Sequence, residues 1–121
     1  MLGHDLVAAL NAAGFAVTCL DRPQIDITNA NQVIYCLREA SPDLVINCAA
    51  YTAVDKAESE PELAFAVNRE GSAHLAEACR DLKIPLIHIS TDYVFDGRSA
   101  VPYYEEDKAN PLNVYGRSKW E

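Results

Sequence analysis

Residues 44–49 read Leu-Val-Ile-Asn-Cys-Ala, and this short, nearly unbroken apolar run decides the fold. A strand covered on one face alternates apolar and polar residues, whereas one covered on both faces does not. The run therefore predicts a buried strand of a layered α/β fold. Downstream, Pro61 suits the first turn of a long helix reaching about Lys83, with Leu63, Val67, Leu75, Ala78, Cys79 and Leu82 as its buried stripe. Residues 86–89 form the next buried strand. Upstream, Ser41-Pro42 stops a helix that Thr28 caps and whose inward face carries Val33, Ile34 and Leu37. Before it, Ile25-Asp26-Ile27 reads as a very short strand, and residues 16–20 as a buried strand ending at Asp21. Leu2, Leu6, Val7 and Leu10 share one face of an opening helix, and Gly14 stands where a left-handed C-cap belongs. After Ser90 a long, acidic, tyrosine-rich loop leads to Pro111, and another helix begins at Val114.

This order is that of a Rossmann-like, doubly wound parallel sheet lacking its first strand and its C-terminal part. Residues 1–121 are thus expected to be one partial dinucleotide-binding domain of a larger protein, with no second domain. A chain of 121 residues has room for a single core, and 50% hydrophobic against 23% charged residues suffices to build one. Ten Lys and Arg against eighteen Asp and Glu argue against a nucleic-acid partner, which clustered positive charge would bind. Cys19, Cys36, Cys48 and Cys79 form no C-x-x-C pair and read as buried thiols of a reducing compartment. The longest weakly polar run, residues 44–54, is too short to span a bilayer. A cytoplasmic protein with no membrane partner is expected.

Tyr115-Gly-Arg-Ser-Lys119 places a phenol and an ammonium four residues apart, on one face of a helix. A neighbouring ammonium favours phenolate, so such a tyrosine can exchange a proton near neutral pH; a solvated helix surface is the plainer reading. The pair follows a strand that ends in Ser90-Thr91-Asp92, and open parallel sheets bind ligands at the carboxyl ends of their strands. Ser90 or Thr91 can then offer a hydroxyl to the oxygen that Tyr115 protonates, unless Thr91 merely caps the strand end. Asn47 to Thr52 leaves another strand end, where Ala49 and Ala50 let a flat cofactor approach or simply allow tight packing. Asp21 stands where a Rossmann unit sets an acid against the adenine ribose, or it caps a loop. Gly3, ahead of a helix, is compatible with the last glycine of a phosphate-binding turn. His4, His74 and His88 lack metal-ligand spacing, and His88 reads as a hydrogen-bonded core histidine. Glu58, Glu60 and Glu62 read as a solvated helix start.

The stretches Asp21-Arg22, residues 45–58, Val67-Asn68 with Gly71, residues 90–97 and residues 111–119 occur in the order found in the dTDP-4-dehydrorhamnose reductase family. The chain resembles these extended short-chain dehydrogenases/reductases throughout its length. The Tyr and Lys spacing belongs to the whole superfamily, whereas Ala-Ala-Tyr-Thr-Ala-Val-Asp-Lys-Ala-Glu and Ser-Thr-Asp-Tyr-Val-Phe-Asp-Gly are more specific to the reductases. The resemblance implies reduction of a dTDP-4-keto sugar at C4 with NADPH or NADH, in the making of activated L-rhamnose for cell-surface polysaccharide. It further implies that Tyr115 donates the proton, Lys119 lowers the phenol pKa and binds the nicotinamide ribose, and Thr91 positions the carbonyl oxygen. Gly3 approaches the pyrophosphate, and Ala49, Ala50 and Tyr51 line the cofactor groove. Asp21 favours NADH while Arg22 receives the 2′-phosphate of NADPH. Mg2+ enters the cofactor set by resemblance, and a homodimer of the full-length protein is the expected assembly. Two other readings are a non-catalytic regulatory protein with the same fold, which intact Thr91, Tyr115 and Lys119 oppose, and a sibling nucleotide-sugar epimerase or dehydratase.

Overall fold

A computed structural model describes residues 2–121. Its centre is a pair of parallel strands, β1 (Val45–Asn47) and β2 (Leu86–His88), in register Val45 with Leu86, Ile46 with Ile87 and Asn47 with His88. Between them runs the crossover. It consists of the short helix α3 (Val54–Ala57), then α4 (Pro61–Phe65), a π-helical turn (Ala66–Glu70) and α5 (Gly71–Leu82). Pro61 occupies the first turn of α4, and Lys83 closes α5 in the left-handed conformation with φ 59°. Helices α1 (Leu2–Ala12) and α2 (Ala30–Ala40) precede β1, and α6 (Val114–Trp120) follows the loop after β2.

Two clusters hold the layers. Val33 and Leu37 of α2 meet Leu75, Ala78 and Cys79 of α5 over Ile27. Gly71 is required there, because a Cβ would stand 2.7 Å from the Ile27 side chain. The second cluster sets Ala57 and Ala64 against Val114 and Tyr115, with Tyr51 and Phe65 at its margin. The crossover thus faces one core with its first half and another with its second. The π turn, whose last N–H reaches from Gly71 to the Ala66 carbonyl, marks the change.

Several expectations are corrected. Residues 16–20 form no strand: among the described residues none pairs with them in a ladder, and Phe15 and Leu20 are exposed. A strand without a ladder partner leaves its N–H and C=O groups to solvent. Ile25-Asp26-Ile27 is a turn region, because the Asp26 carboxylate accepts the Thr28 N–H at 2.9 Å and its hydroxyl at 2.8 Å. Asn29 rather than Thr28 caps α2, its Oδ1 accepting the Gln32 N–H at 3.1 Å. Ser41 does end that helix, in the left-handed region at φ 43°. Leu63 is exposed and Ala64 takes its place inside. The face of α1 buries none of its residues, although Gly14 adopts the left-handed φ of 85° that its C-cap position demands. In β2, Ile87 and His88 are exposed, as is Ile89 beyond it. Among the four free thiols only Cys79 is buried, and burial pushes its pKa up.

Candidate functional site

A cavity of about 210 Å³ opens at the carboxyl ends of both strands. Cys48, Ala49 and Ala50 come from the end of β1, Ile89 and Ser90 from the end of β2, and Tyr115 and Lys119 from α6. The start of α1 closes it with Leu2 and Gly3. The parallel arrangement is the reason: both chains leave the sheet at the same edge, and the helix that follows returns over it.

Helix α6 is fixed by contacts distant in sequence. Asn113 caps it, accepting the Gly116 N–H at 2.7 Å, and the Glu58 carboxylate accepts the Val114 N–H at 2.7 Å. Glu58 is therefore an anchor of this helix and not merely a solvated charge. Gly116 lies so close to the Tyr93 carbonyl that a Cβ would collide with it. Buried behind the helix, the Asn68 amide donates to Ser118 Oγ at 2.9 Å and to the Tyr51 carbonyl at 3.1 Å, and its Oδ1 accepts the Tyr51 N–H at 2.8 Å. Ser118 in turn donates to the Tyr115 carbonyl at 2.8 Å. Tyr115 is 8% exposed, with its ring edge-on to Tyr93 at 5.5 Å.

Lys119 reaches the cavity from one turn on. Its Nζ donates to the Ile89 carbonyl at 2.7 Å and lies 3.2 Å from His88 Nε2. Burial pushes the lysine pKa below its ordinary value. Partial desolvation and the lysine charge together push the His88 pKa below its ordinary value.

Tyr115 and Lys119 thus share one cavity with Gly3, Ala49 and Ala50. Other sequence candidates stand apart from it. Thr91 is adjacent to the lining residue Ser90, but its Oγ1 caps a 3-10 turn (Asp92–Val94), accepting the Tyr93 N–H at 3.3 Å and donating to Asp92 at 3.2 Å. The Tyr51 hydroxyl points to Glu60, donating at 2.8 Å, and Lys56 pairs with the same carboxylate at 2.8 Å. Burial and that hydrogen bond raise the Tyr51 pKa. Asp21 and Arg22 lie in an exposed turn closed by the Gln24 and Ile25 N–H groups on the Asp21 carbonyl, and they do not line the cavity. Among the described residues no group of three or more His, Cys, Asp and Glu side chains is placed to hold a metal ion, so none supports the Mg2+ of the resemblance. No helix of the described residues is long and apolar enough to cross a membrane.

His88, Asn68 and Glu58 were not legible as neighbours of α6, since their contacts with Lys119, Ser118 and Val114 join residues at least 31 positions apart in the chain. The pairing of Asn47 with His88 across parallel strands is the one signal that register could have supplied. A second, wider hollow of about 430 Å³ lies along α4 between Phe65 and Glu121. Its Arg69 is already engaged by Glu70 and Glu121, at 2.7 and 2.8 Å.

Small residues on the cavity floor, with a phenol and an amine on its wall, fit the nicotinamide end of a dinucleotide. The family described as the RmlD substrate binding domain matches residues 1–121. The chain is 56% identical over 105 residues to the dTDP-4-dehydrorhamnose reductase of Sinorhizobium fredii, covering 87% of this chain and 36% of that one. It is 50% identical over 119 residues to the reductase of the same name from Streptomyces griseus, covering 98% and 39% respectively. The crystal structure of dTDP-4-dehydrorhamnose reductase from Bacillus anthracis in complex with NADP superposes with a TM-score of 0.94 at 40% identity, over 98% of this chain and 42% of that one. The chain therefore spans about two-fifths of the length of these relatives. The α/β architecture is that of Rossmann-like reductases, and the chain belongs to the RmlD substrate binding domain family.

Proposed function

We propose that this chain is the NAD(P)-binding part of a reductase that converts the 4-keto group of dTDP-4-dehydro-L-rhamnose to the alcohol of dTDP-L-rhamnose. The observation that carries the reading is the meeting of Tyr115 and Lys119 with Ala49 and Ala50 in one cavity at the strand ends. The nicotinamide, when bound, supplies the hydride that forms the new C–H bond at C4. The phenol of Tyr115 supplies the proton, so the carbonyl π bond is replaced by one C–H and one O–H bond, and Lys119 stabilises the phenolate that remains. Thr91 orients the carbonyl oxygen once its hydroxyl proton turns from its 3.2 Å contact with Asp92, while its oxygen keeps accepting the Tyr93 N–H. Asp21 and Arg22 choose between NADH and NADPH by meeting the ribose hydroxyls or the 2′-phosphate. The product serves as activated L-rhamnose for cell-surface polysaccharide, made in the cytoplasm.

The test is oxidation of NADPH by the protein expressed from its complete reading frame, with and without the dTDP-4-keto sugar. Sugar-dependent oxidation is expected. Tyr115→Phe should lower turnover by roughly 10²- to 10⁴-fold with little change in KM, as loss of a general acid does. A Phe variant that turns over normally removes the mechanism, and no sugar-dependent oxidation removes the reading. If Asp21→Ala leaves the NADH to NADPH preference unchanged, the assignment of Asp21 is wrong.

A further inference from the structure

The turn of Asp21 and Arg22, which lies outside the cavity at the strand ends, is tied twice. Within it, Gln24 Oε1 accepts the Asp21 N–H at 2.9 Å, and the Gln24 and Ile25 N–H groups both reach the Asp21 carbonyl at 2.9 Å. The second tie comes from α2. Gln32, in the first turn of that helix, uses both ends of one side-chain amide: its Oε1 accepts the Asp26 N–H at 3.0 Å, and its Nε2 donates to the Gln24 carbonyl at 3.3 Å. A glutamine three residues after an N-cap ordinarily reaches back to the N-cap N–H. Here the Asn29 N–H goes instead to the Asp26 carbonyl at 3.0 Å, and the Gln32 side chain reaches past it. An amide offers a donor and an acceptor side by side, and one C=O and one N–H of the passing backbone match them. Gln24 is thereby held by Gln32 through its carbonyl while its own side chain holds Asp21, so a connection runs from α2 through Gln24 to the backbone of Asp21.

We propose that Gln32 is a positioning residue for the cofactor: its amide keeps the turn of Asp21 and Arg22 in the shape that meets the adenosine ribose before the cofactor arrives. A turn ordered in advance loses little backbone freedom on binding, so the benefit falls on affinity and not on the chemical step at Tyr115. The inference rests on reading Asp21 and Arg22 as the ribose end of the site, and it deepens that reading by making α2 the platform on which the turn is built.

The test uses the protein expressed from its complete reading frame and two probes for the adenosine end, ADP and adenosine 2′,5′-bisphosphate, titrated by calorimetry. Gln32→Leu removes both bonds and keeps much of the volume. Both probes should bind roughly 2- to 10-fold more weakly, the range that a net hydrogen bond is worth. KM for NADH and for NADPH should rise by similar factors, while kcat at saturating cofactor and KM for the sugar keep their parental values. Gln32→Glu retains the Asp26 bond but sets an oxygen against the Gln24 carbonyl oxygen, so it too should lose affinity for both probes, and it carries the test if the Leu variant does not fold. Unchanged affinity for both probes in either folded variant, or a kcat that falls while KM for the cofactor stays put, overturns the inference. If Asp21→Ala weakens the probes and the Gln32 variants do not, the ribose reading stands without Gln32; if none of these variants changes binding, the ribose reading falls as well. Absence of sugar-dependent oxidation in the unaltered protein overturns the proposed reaction instead, and the probe affinities then judge Gln32 by themselves.

Discussion

Asp96 gathers the Arg98 N–H at 3.0 Å, the Tyr103 hydroxyl at 2.8 Å and the Asn110 amide at 3.1 Å, and so ties down the loop between the 3-10 turn and α6. Phe95 and Tyr103 stack beside it with ring centres 4.3 Å apart. These donors, the Arg98 N–H foremost, hold the carboxyl below its ordinary value of 3.8. A depressed carboxylate pKa means that the contribution is complete above the unfolded value and is lost as pH falls through the lower folded one. Acidification below pH about 4 should therefore loosen this loop, seen as faster proteolytic nicking there. Asp96→Asn should be nicked quickly at neutral pH and respond less to acid; a variant with the native pH response would remove Asp96 from this role. At this scale Tyr115 and Lys119 were legible because a helix brings positions four apart to one side. The partners of Tyr51 and Thr91 were not, because Glu60 and the Tyr93 N–H that engage their hydroxyls are announced by nothing in the local spacing.

Helix α6 depends on a glycine for its seat. Gly116→Ala should push the helix away from the Tyr93 carbonyl and cost about 1–3 kcal/mol, the range for overpacking, read as a lower denaturant midpoint with unchanged slope. Turnover should fall with it, since Tyr115 and Lys119 move as one body; a midpoint equal to that of the parent protein would show that the contact has room to spare. On the opposite side of the chain, Asn29→Ala removes the cap of α2 and should cost about 0.5–2 kcal/mol, whereas Thr28→Ala should leave that cap intact. Some helix ends were readable because they are local chemistry: Pro61, Ser41 and Gly14 act on backbone groups within a turn. Strands are not local. Residues 16–20 have the composition of a strand but no ladder partner, whereas residues 45–47 have one in residues 86–88.

Across the whole molecule, the two-stranded sheet leaves much apolar surface open, with Leu44, Ile87 and Ile89 all exposed around it. Three or more strands are generally needed for a sheet to be stable by itself. The 121-residue segment taken alone should therefore melt without a cooperative transition and fail to bind NADH at micromolar concentration; a sharp transition with such binding would contradict this. The alternation of helix and strand made the α/β class legible, because the crossover from β1 to β2 is complete within the sequence. What the pattern hid was the π turn at residues 66–70, since its apolar spacing passes for an ordinary helix. That turn behaves as a phase shifter. One residue beyond the α-helical count rotates everything after it by about 100° about the helix axis, which points Ala64 at α6 and Leu75 at α2. Deleting any single residue of the turn would restore a regular helix and put the two halves out of step, so that only one of the two cores could close at a time.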